Sequence, residues 1–360
     1  MSVLEKPSPA ASSTAAQDPR DRGGPHQPLL LVSNLKKHFR AKAAFFTSAG
    51  RVHAVDDVSF AIAKGETLGV VGESGCGKST TARLLMRLIE PDSGEIIFDG
   101  EAVSTGGGLS LRELRRNMQM VFQDSFASLN PRLAVEETIA FGPRVHGLGA
   151  RQARDRARSL LSLVGLEPEL FSHRYPHELS GGQRQRINIA RALALEPRLL
   201  ILDEAVSALD KSIEAQVLNL LTDLKAEFGL TYMFISHDLN VVQYLSDRVM
   251  VMYLGKIVEI GGVDAIYDNP RHPYTQALLS AMPSMDPDAR TIRAPLSGDP
   301  PNPINPPPGC RFRPRCAFAE AVCERREPAL LRPDAATGGA VACHMCDPAS
   351  GHSRAAEMAQ

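Results

Sequence analysis

From Leu29 onward the apolar residues fall into short runs bounded by turn residues, and the spacing within each run predicts the element it forms. "LLLVSNLKKHF" reads as a strand, and "VHAVDDVSFAIAKGE" alternates as a second strand closed by the Lys64-Gly65 turn. "TLGVVGESGCGKSTTARLLMRLI" starts as a buried strand, passes through a glycine-rich loop and continues with helical period. "GEIIFDG" predicts another short strand. Ser110 with Glu113 three residues on predicts a capping box opening a helix. Between about 124 and 180 the strand signals fade, and segments such as "ARQARDRARSLLSLVGL" are helical. Strands return in "RLLILDEA" and "TYMFISH" around the helical "SIEAQVLNLLTDLKAEFG", and "RVMVMYLGKIVEIG" adds two more. This alternation predicts an α/β core holding an inserted helical subdomain over about 124–185. After 267, "NPRHPYTQALLSAMP" reads as a helix following a turn and "PLSGDPPNPINPPPG" as a proline-rich connector.

Composition narrows the partners. With 360 residues the chain has room for roughly two domains, and 43% apolar with 22% charged residues is ordinary for a globular protein. A formal net charge of −1 supplies no global field for nucleic acid or anionic lipid. No apolar run approaches the ~20 residues of a membrane-spanning helix. The first 28 residues are rich in Ala, Ser, Pro and Gly, lack the apolar core of a secretory signal and read as a disordered tail. The expectation is therefore a cytosolic chain with reduced thiols.

The chemistry begins at "GESGCGKS", residues 72 to 79, which matches G-x-x-x-x-G-K-[ST] between a strand and a helix. Gly72, Gly75 and Gly77 let backbone N–H groups close on phosphate oxygens, and Glu73, Ser74 and Cys76 fill the variable positions. Lys78 brings a positive charge to the β- and γ-phosphates, Ser79 is placed to ligate Mg²⁺, and Thr80 follows at the helix start. "LLILDE" is an apolar strand ending in two carboxylates, with Asp203 the expected partner of Mg²⁺ and Glu204 the expected general base. In "ELSGGQRQR", Ser180, Gly181, Gly182 and Gln183 open a helix and make a second anion-receiving N-terminus. One nucleotide needs one cradle in its own subunit, so the second suits a nucleotide held by another subunit.

With these residues in place, the stretch from about 29 to 285 resembles the ATP-binding-cassette (ABC) ATPases. The resemblance implies a P-loop NTPase core with an antiparallel β subdomain and the helical insertion. It also implies that Gln123 is the glutamine that senses Mg²⁺ and water, and that His237 in "FISHDL" is the histidine that contacts the γ-phosphate. Ser207, Ala208, Leu209 and Asp210 correspond to the loop that crosses the dimer interface, and Phe39 to an aromatic that stacks on adenine. Ala205 stands where the family often has proline. "FQDSFASLNPR" and "RHPYTQALLSAMP" resemble the ATPase subunits of oligopeptide and dipeptide importers, and the phosphate-loop stretch looks like their F-type subunit.

That branch implies a heterodimer with a second, D-type ATPase, two membrane permeases whose coupling helices face residues 124–132, and an extracytoplasmic peptide-binding protein. It implies peripheral attachment at the cytoplasmic face of the inner membrane and no nucleic-acid partner. Nickel, glutathione and opine importers share the same tail, and a non-transport ABC ATPase acting on nucleic acid is the alternative class. The expected boundaries are a disordered tail over 1–28, the nucleotide-binding domain over 29–267, an oligopeptide-transporter-type C-terminal domain over 268–346 and a loose tail over 347–360.

Five of the six cysteines lie in the last fifty-one residues. The resemblance aligns Cys310, Cys316, Cys323 and Cys343 with a thiol pattern that holds a 4Fe-4S cluster in some members. Four thiolates equally suit a tetrahedral Zn²⁺ or no metal at all, and Cys346 departs from the pattern.

Overall fold

The computed structural model describes residues 21–24, 26–40, 50–103, 107–282, 302–331 and 339–355. Its strands, in chain order, are β1 (Leu30–Arg40), β2 (Arg51–Ile62), β3 (Thr67–Val71), β4 (Ser93–Phe98), β5 (Glu101–Ala102), β6 (Met118–Val121), β7 (Leu199–Asp203), β8 (Thr231–Ile235), β9 (Arg248–Tyr253), β10 (Lys256–Gly262) and β11 (Ala340–Val341). They form two sheets. An antiparallel sheet runs β2-β1-β4-β5, and the central sheet runs β11-β10-β9-β3-β8-β7-β6. The middle of the central sheet is parallel: β3 pairs with β8 and β9, and β7 pairs with β6 and β8. Every residue of β3, β7 and β8 is buried, as expected of parallel strands covered on both faces.

One apolar core lies between the two sheets and includes Leu35, Val58, Leu84, Phe98, Ile201 and Met250. The other lies on the opposite face, where the inserted helices pack. In the helix Ala150–Leu163 the buried residues are Ala153, Ala157, Leu160 and Leu161, a stripe at helical spacing that faces the helix Val135–Val145. Arg158 adds an ion pair to the buried Glu136 at 2.9 Å. Among the described residues no helix is long and apolar enough to cross a membrane.

The C-terminal segment is built into this core. β11 extends the central sheet, pairing Ile260 with Ala340 and Glu259 with Val341. Phe312 is buried against Tyr253, Tyr274 and His272, with ring centroids 5.4, 5.5 and 5.7 Å away.

Two expectations are corrected. Residues 1–20 lie outside the described residues, but 21–24, expected to be disordered, dock on the turn after β4. There the Arg22 N–H donates to Asp99 at 2.7 Å and Lys64 reaches the Asp21 carboxylate at 2.5 Å. Residues 347–355, expected to be loose, fold back on the thiol segment. His352 is buried with Nε2 2.9 Å from the Phe318 carbonyl oxygen, and Ser350 Oγ donates to the His344 carbonyl at 2.6 Å. In both places polar contacts, which carry no periodicity, replace the apolar pattern that marks order in a sequence.

Candidate nucleotide site

The phosphate loop leaves the carboxyl end of β3, the edge at which parallel α/β sheets bind ligands. Its conformation requires glycine. Gly72 has φ 146° and Gly77 φ 113°, and a Cβ on either would approach a backbone carbonyl oxygen, of Met252 or Ala54, to 2.2 or 2.3 Å. Gly77 then caps the helix Lys78–Leu85, so the helix's first N–H groups open onto the loop. Lys78 is buried, and its ammonium donates to the carbonyls of Gly72 at 2.6 Å and Glu73 at 3.1 Å. Cys76 is buried beneath the loop, and burial pushes its thiol above the usual range.

β7 delivers the two carboxylates. Asp203 is buried and accepts a hydrogen bond from Ser79 Oγ at 2.8 Å. Burial pushes its carboxyl up, and the charge of Glu204 adds to this against the Ser79 hydrogen bond. A buried carboxylate paired to a hydroxyl at the mouth of a phosphate loop has the donor set that suits Mg²⁺. Glu204 turns out of the strand with φ 49°, a left-handed conformation unusual for a side-chain-bearing residue, and its N–H is held by the Ile235 carbonyl at 2.9 Å.

Neighbouring strands bring the remaining groups. Gln123 follows β6 and His237 follows β8, the two strands flanking β7. Gln123 Nε2 donates to Glu204 Oε2 at 2.7 Å, and His237 Nδ1 lies 3.5 Å from the same oxygen. Ser74, Gly75, Gly77, Lys78, Ser79, Thr80, Gln123, Glu204 and His237 line one cavity of about 340 Å³. Residues separated by more than 160 positions therefore meet at one edge of the sheet.

Other expected site residues stand apart from this cavity. Ser180 caps the helix Gly181–Leu193 in a reciprocal box: its hydroxyl accepts from the Gln183 N–H at 3.3 Å, and its N–H donates to Gln183 Oε1 at 2.9 Å. None of Ser180–Gln183 lines the cavity. Gly182 lies so close to Ile213 that a Cβ would meet its methyl carbon at 2.5 Å. Ser207 Oγ donates to the Glu204 carbonyl at 3.0 Å, Leu209 lies near Gly181, Ala208 is exposed, and Asp210 caps the helix Lys211–Phe228. Phe39 is exposed at the end of β1 with the Lys37 ammonium 5.7 Å from its ring.

Two residues touching the loop were not among the expected site residues, although Tyr274 lies within the "RHPYTQALLSAMP" stretch. Tyr274 Oη accepts the Glu73 N–H at 2.8 Å, and Arg315 makes a two-pronged pair with the Glu73 carboxylate at 2.8 and 3.0 Å.

The four expected thiols gather in the C-terminal segment. The Cys310 N–H donates to the Cys323 carbonyl at 2.8 Å, and Cys310 is pushed up to about 12 by burial, with the charges of Cys323, Cys343 and Cys316 adding to it. The hydrogen bond to Cys346, and then burial, push Cys343 up. Among the described residues the one group of three or more His, Cys, Asp or Glu side chains with ligand atoms within 4.8 Å of one another is His38, His53 and Asp56. Asp56 is already paired with Arg311, so that group is charge-balanced within the protein.

Comparison with known proteins agrees with this geometry. Residues 55–207 match the ABC transporter family model, and residues 258–323 match the oligopeptide/dipeptide transporter C-terminal region. A probable peptide ABC transporter ATP-binding protein of Sinorhizobium fredii is 53% identical over 89% of this chain and 91% of its own. The oligopeptide transport ATP-binding protein AppF of Bacillus subtilis is 51% identical over 88% and 97%, and the dipeptide transport ATP-binding protein DppF of Escherichia coli 50% over 84% and 91%. Among solved structures, cbiO1 of Clostridium perfringens, part of an ABC transporter complex, aligns at TM-score 0.57 with 29% identity over 67% of this chain and 91% of that one. A dimeric ATP-binding cassette bound to ADP and Pi in a post-hydrolysis state aligns equally well, at 29% identity over 65% and 98%. The chain belongs to the ATP-binding proteins of ABC transporters, in the branch that carries the oligopeptide/dipeptide transporter C-terminal region.

Proposed function

We propose that this chain is the F-type ATPase subunit of a peptide importer, hydrolysing ATP to ADP and phosphate to drive uptake through a membrane permease pair. The observation that carries the reading is the convergence of Gln123, Glu204 and His237 on one cavity with Lys78 and the Ser79–Asp203 pair. The phosphate-loop N–H groups and Lys78 bind the triphosphate. Glu204, held by Gln123 and flanked by His237, takes the proton of the attacking water as its oxygen bonds the γ-phosphorus and the bond to the β-phosphate oxygen breaks. Ser79 and Asp203, with Gln123 nearby, would hold Mg²⁺, which when bound would supply positive charge against the phosphate charge that builds up during transfer.

The signature residues Ser180–Gln183 lie away from their own subunit's cavity, which supports their use in trans, across a dimer with a D-type partner. Residues 124–132 are largely exposed and include Phe126 at 49% exposure, a surface suited to the permeases' coupling helices. On this reading the subunit sits peripherally at the cytoplasmic face of the inner membrane, fed by an extracytoplasmic peptide-binding protein.

For the thiols we favour a 4Fe-4S cluster held by Cys310, Cys316, Cys323 and Cys343. The four thiols lie in one segment, and the charges of Cys316, Cys323 and Cys343 all act on the buried Cys310, a donor set of the kind that ligates such a cluster. The Arg315–Glu73 pair supports a structural task for this segment beside the nucleotide.

The function is tested by reconstituting the complete complex in proteoliposomes and following ATP hydrolysis as loaded binding protein is added. Peptide-loaded protein is expected to stimulate turnover. Stimulation by a nickel- or glutathione-loaded protein alone would reassign the cargo, and activity indifferent to permeases would remove transport from the reading.

A further inference from the structure

Glu73 belongs to the phosphate loop but does not line the nucleotide cavity. Its contacts point the other way. The N–H is held by Tyr274 Oη, and both carboxylate oxygens are held by Arg315, whose side chain is only 5% exposed. Its carbonyl accepts from the Cys76 N–H at 3.2 Å and from Lys78 Nζ at 3.1 Å. The residue that receives the Lys78 ammonium is thus anchored to a segment 242 positions away.

That segment is shaped to present the guanidinium. Arg315 ends the single turn Arg313–Arg315, which is closed by bonds from the Arg313 N–H to the Cys310 carbonyl and from the Arg315 N–H to the Phe312 carbonyl. Phe312 fixes the turn by packing on Tyr253 and Tyr274, and Tyr253 and Tyr274 lie 4.6 Å apart. One aromatic block therefore carries both groups that grip Glu73.

We propose that Arg315 is a positioning residue for ATP: it fixes the first turn of the phosphate loop and neutralises the Glu73 carboxylate, which would otherwise repel the incoming triphosphate. A fork on both carboxylate oxygens sets direction as well as distance, which a lysine cannot reproduce. Arg315 touches no reacting atom, so its loss weakens binding and leaves the chemical step in place. The proposal rests on the reading of the cavity as the ATP site and holds whether or not the neighbouring thiols carry a metal.

The test is titration of the full-length chain with Mg-ATP, using a fluorescent ATP analogue displaced by ATP, alongside thermal unfolding without nucleotide. Arg315→Met is expected to weaken ATP about tenfold, the size of one charge-assisted pair, with Arg315→Lys in between. Adding Glu73→Gln to Arg315→Met should weaken binding no further and should recover the part lost to the un-neutralised carboxylate, because Arg315 acts only through Glu73. For Arg315→Met alone, turnover at saturating ATP should stay within about twofold of wild type. The proposal is overturned if Arg315→Met binds ATP as wild type does while its unfolding temperature falls, since that is the mark of a purely structural pair. It is equally overturned if the two losses multiply. Should Arg315→Met fail to fold, Glu73→Gln alone is read from the loop side: weaker ATP binding with unchanged unfolding supports the proposal, and unchanged binding refutes it. Wild-type chain that binds no ATP would instead sink the reading of the cavity.

Discussion

Gln123 donates to Glu204 across 2.7 Å, and the two residues follow adjacent parallel strands, β6 and β7. With His237 arriving from β8 on the other side, the carboxylate is held between two neighbours, and the order of three strands sets its direction.

Replacing Glu204 by Gln keeps the size and most of the hydrogen bonding but removes the base. Hydrolysis is expected to fall at least a hundredfold, within the range of general-base losses, while ATP binding survives. Phosphate release and nucleotide titration on the same preparation check this. Full hydrolysis in Glu204→Gln would move the base elsewhere.

For the thiol segment, protein purified without oxygen is expected to show a broad absorption near ~400 nm with iron and acid-labile sulfide in equal amounts. Cys316→Ser should lose that band. One zinc per chain in a colourless protein would make the site tetrahedral, and a metal-free colourless protein would return the four cysteines to ordinary thiols.

The Arg198–Asp99 pair joins the start of β7 to the turn after β4, and both side chains are under 10% exposed. Asp99 also accepts from the Arg22 N–H at 2.7 Å and approaches Lys64 at 3.3 Å. Asp99→Ala removes the carboxylate paired with the buried Arg198 guanidinium, which keeps Asp21 at 4.0 Å, and is expected to cost about 1–3 kcal/mol of folding stability, read by denaturant unfolding. A loss under about 1 kcal/mol would mean that water reaches the site as readily as at a surface pair.

His272 caps the helix Pro273–Ser280 by accepting the Tyr274 N–H on Nδ1 at 3.0 Å, and burial pushes it down to about 3. A histidine whose pKa is depressed in the fold stabilises it fully above its unfolded value near 6.5. That stability is lost as pH falls from about 6.5 toward 3, by up to about 1.4 kcal/mol per pH unit. Unfolding midpoints of wild type and His272→Asn, which keeps an oxygen acceptor for the cap without titrating, should converge as pH drops through this window. Parallel curves would show that His272 ionises freely.

The meeting of Lys78, Gln123, Glu204 and His237 at one cavity was largely legible because each ends a strand or opens a helix. "LLILDE" and "FISHDL" announce themselves by apolar runs, and a parallel sheet then delivers their ends to one edge. The brace on Glu73 was not legible. Arg315 sits among five arginines of one basic stretch, of which Arg311, Arg313 and Arg326 also meet carboxylates, and nothing local marks the one that reaches the phosphate loop. β11 was missed for a similar reason: two residues give no alternation to read, and their strand character comes from pairing with β10. The docking of 21–24 and of 347–355 rests on hydrogen bonds to Asp99 and Phe318, partners that no short window contains.

That β11 comes from residues 340 and 341 has a consequence for the birth of the protein. Until the ribosome has passed this point, β10 presents an open edge, with its backbone groups at Glu259 and Ile260 waiting for a partner. β3, β7 and β8, which lead into the phosphate loop, Asp203–Glu204 and His237, have emerged long before. A nascent chain can thus assemble the middle of its central sheet while the β10 side is unsealed, and truncation before 340 should yield a protein that sticks to its neighbours rather than one that merely lacks a tail.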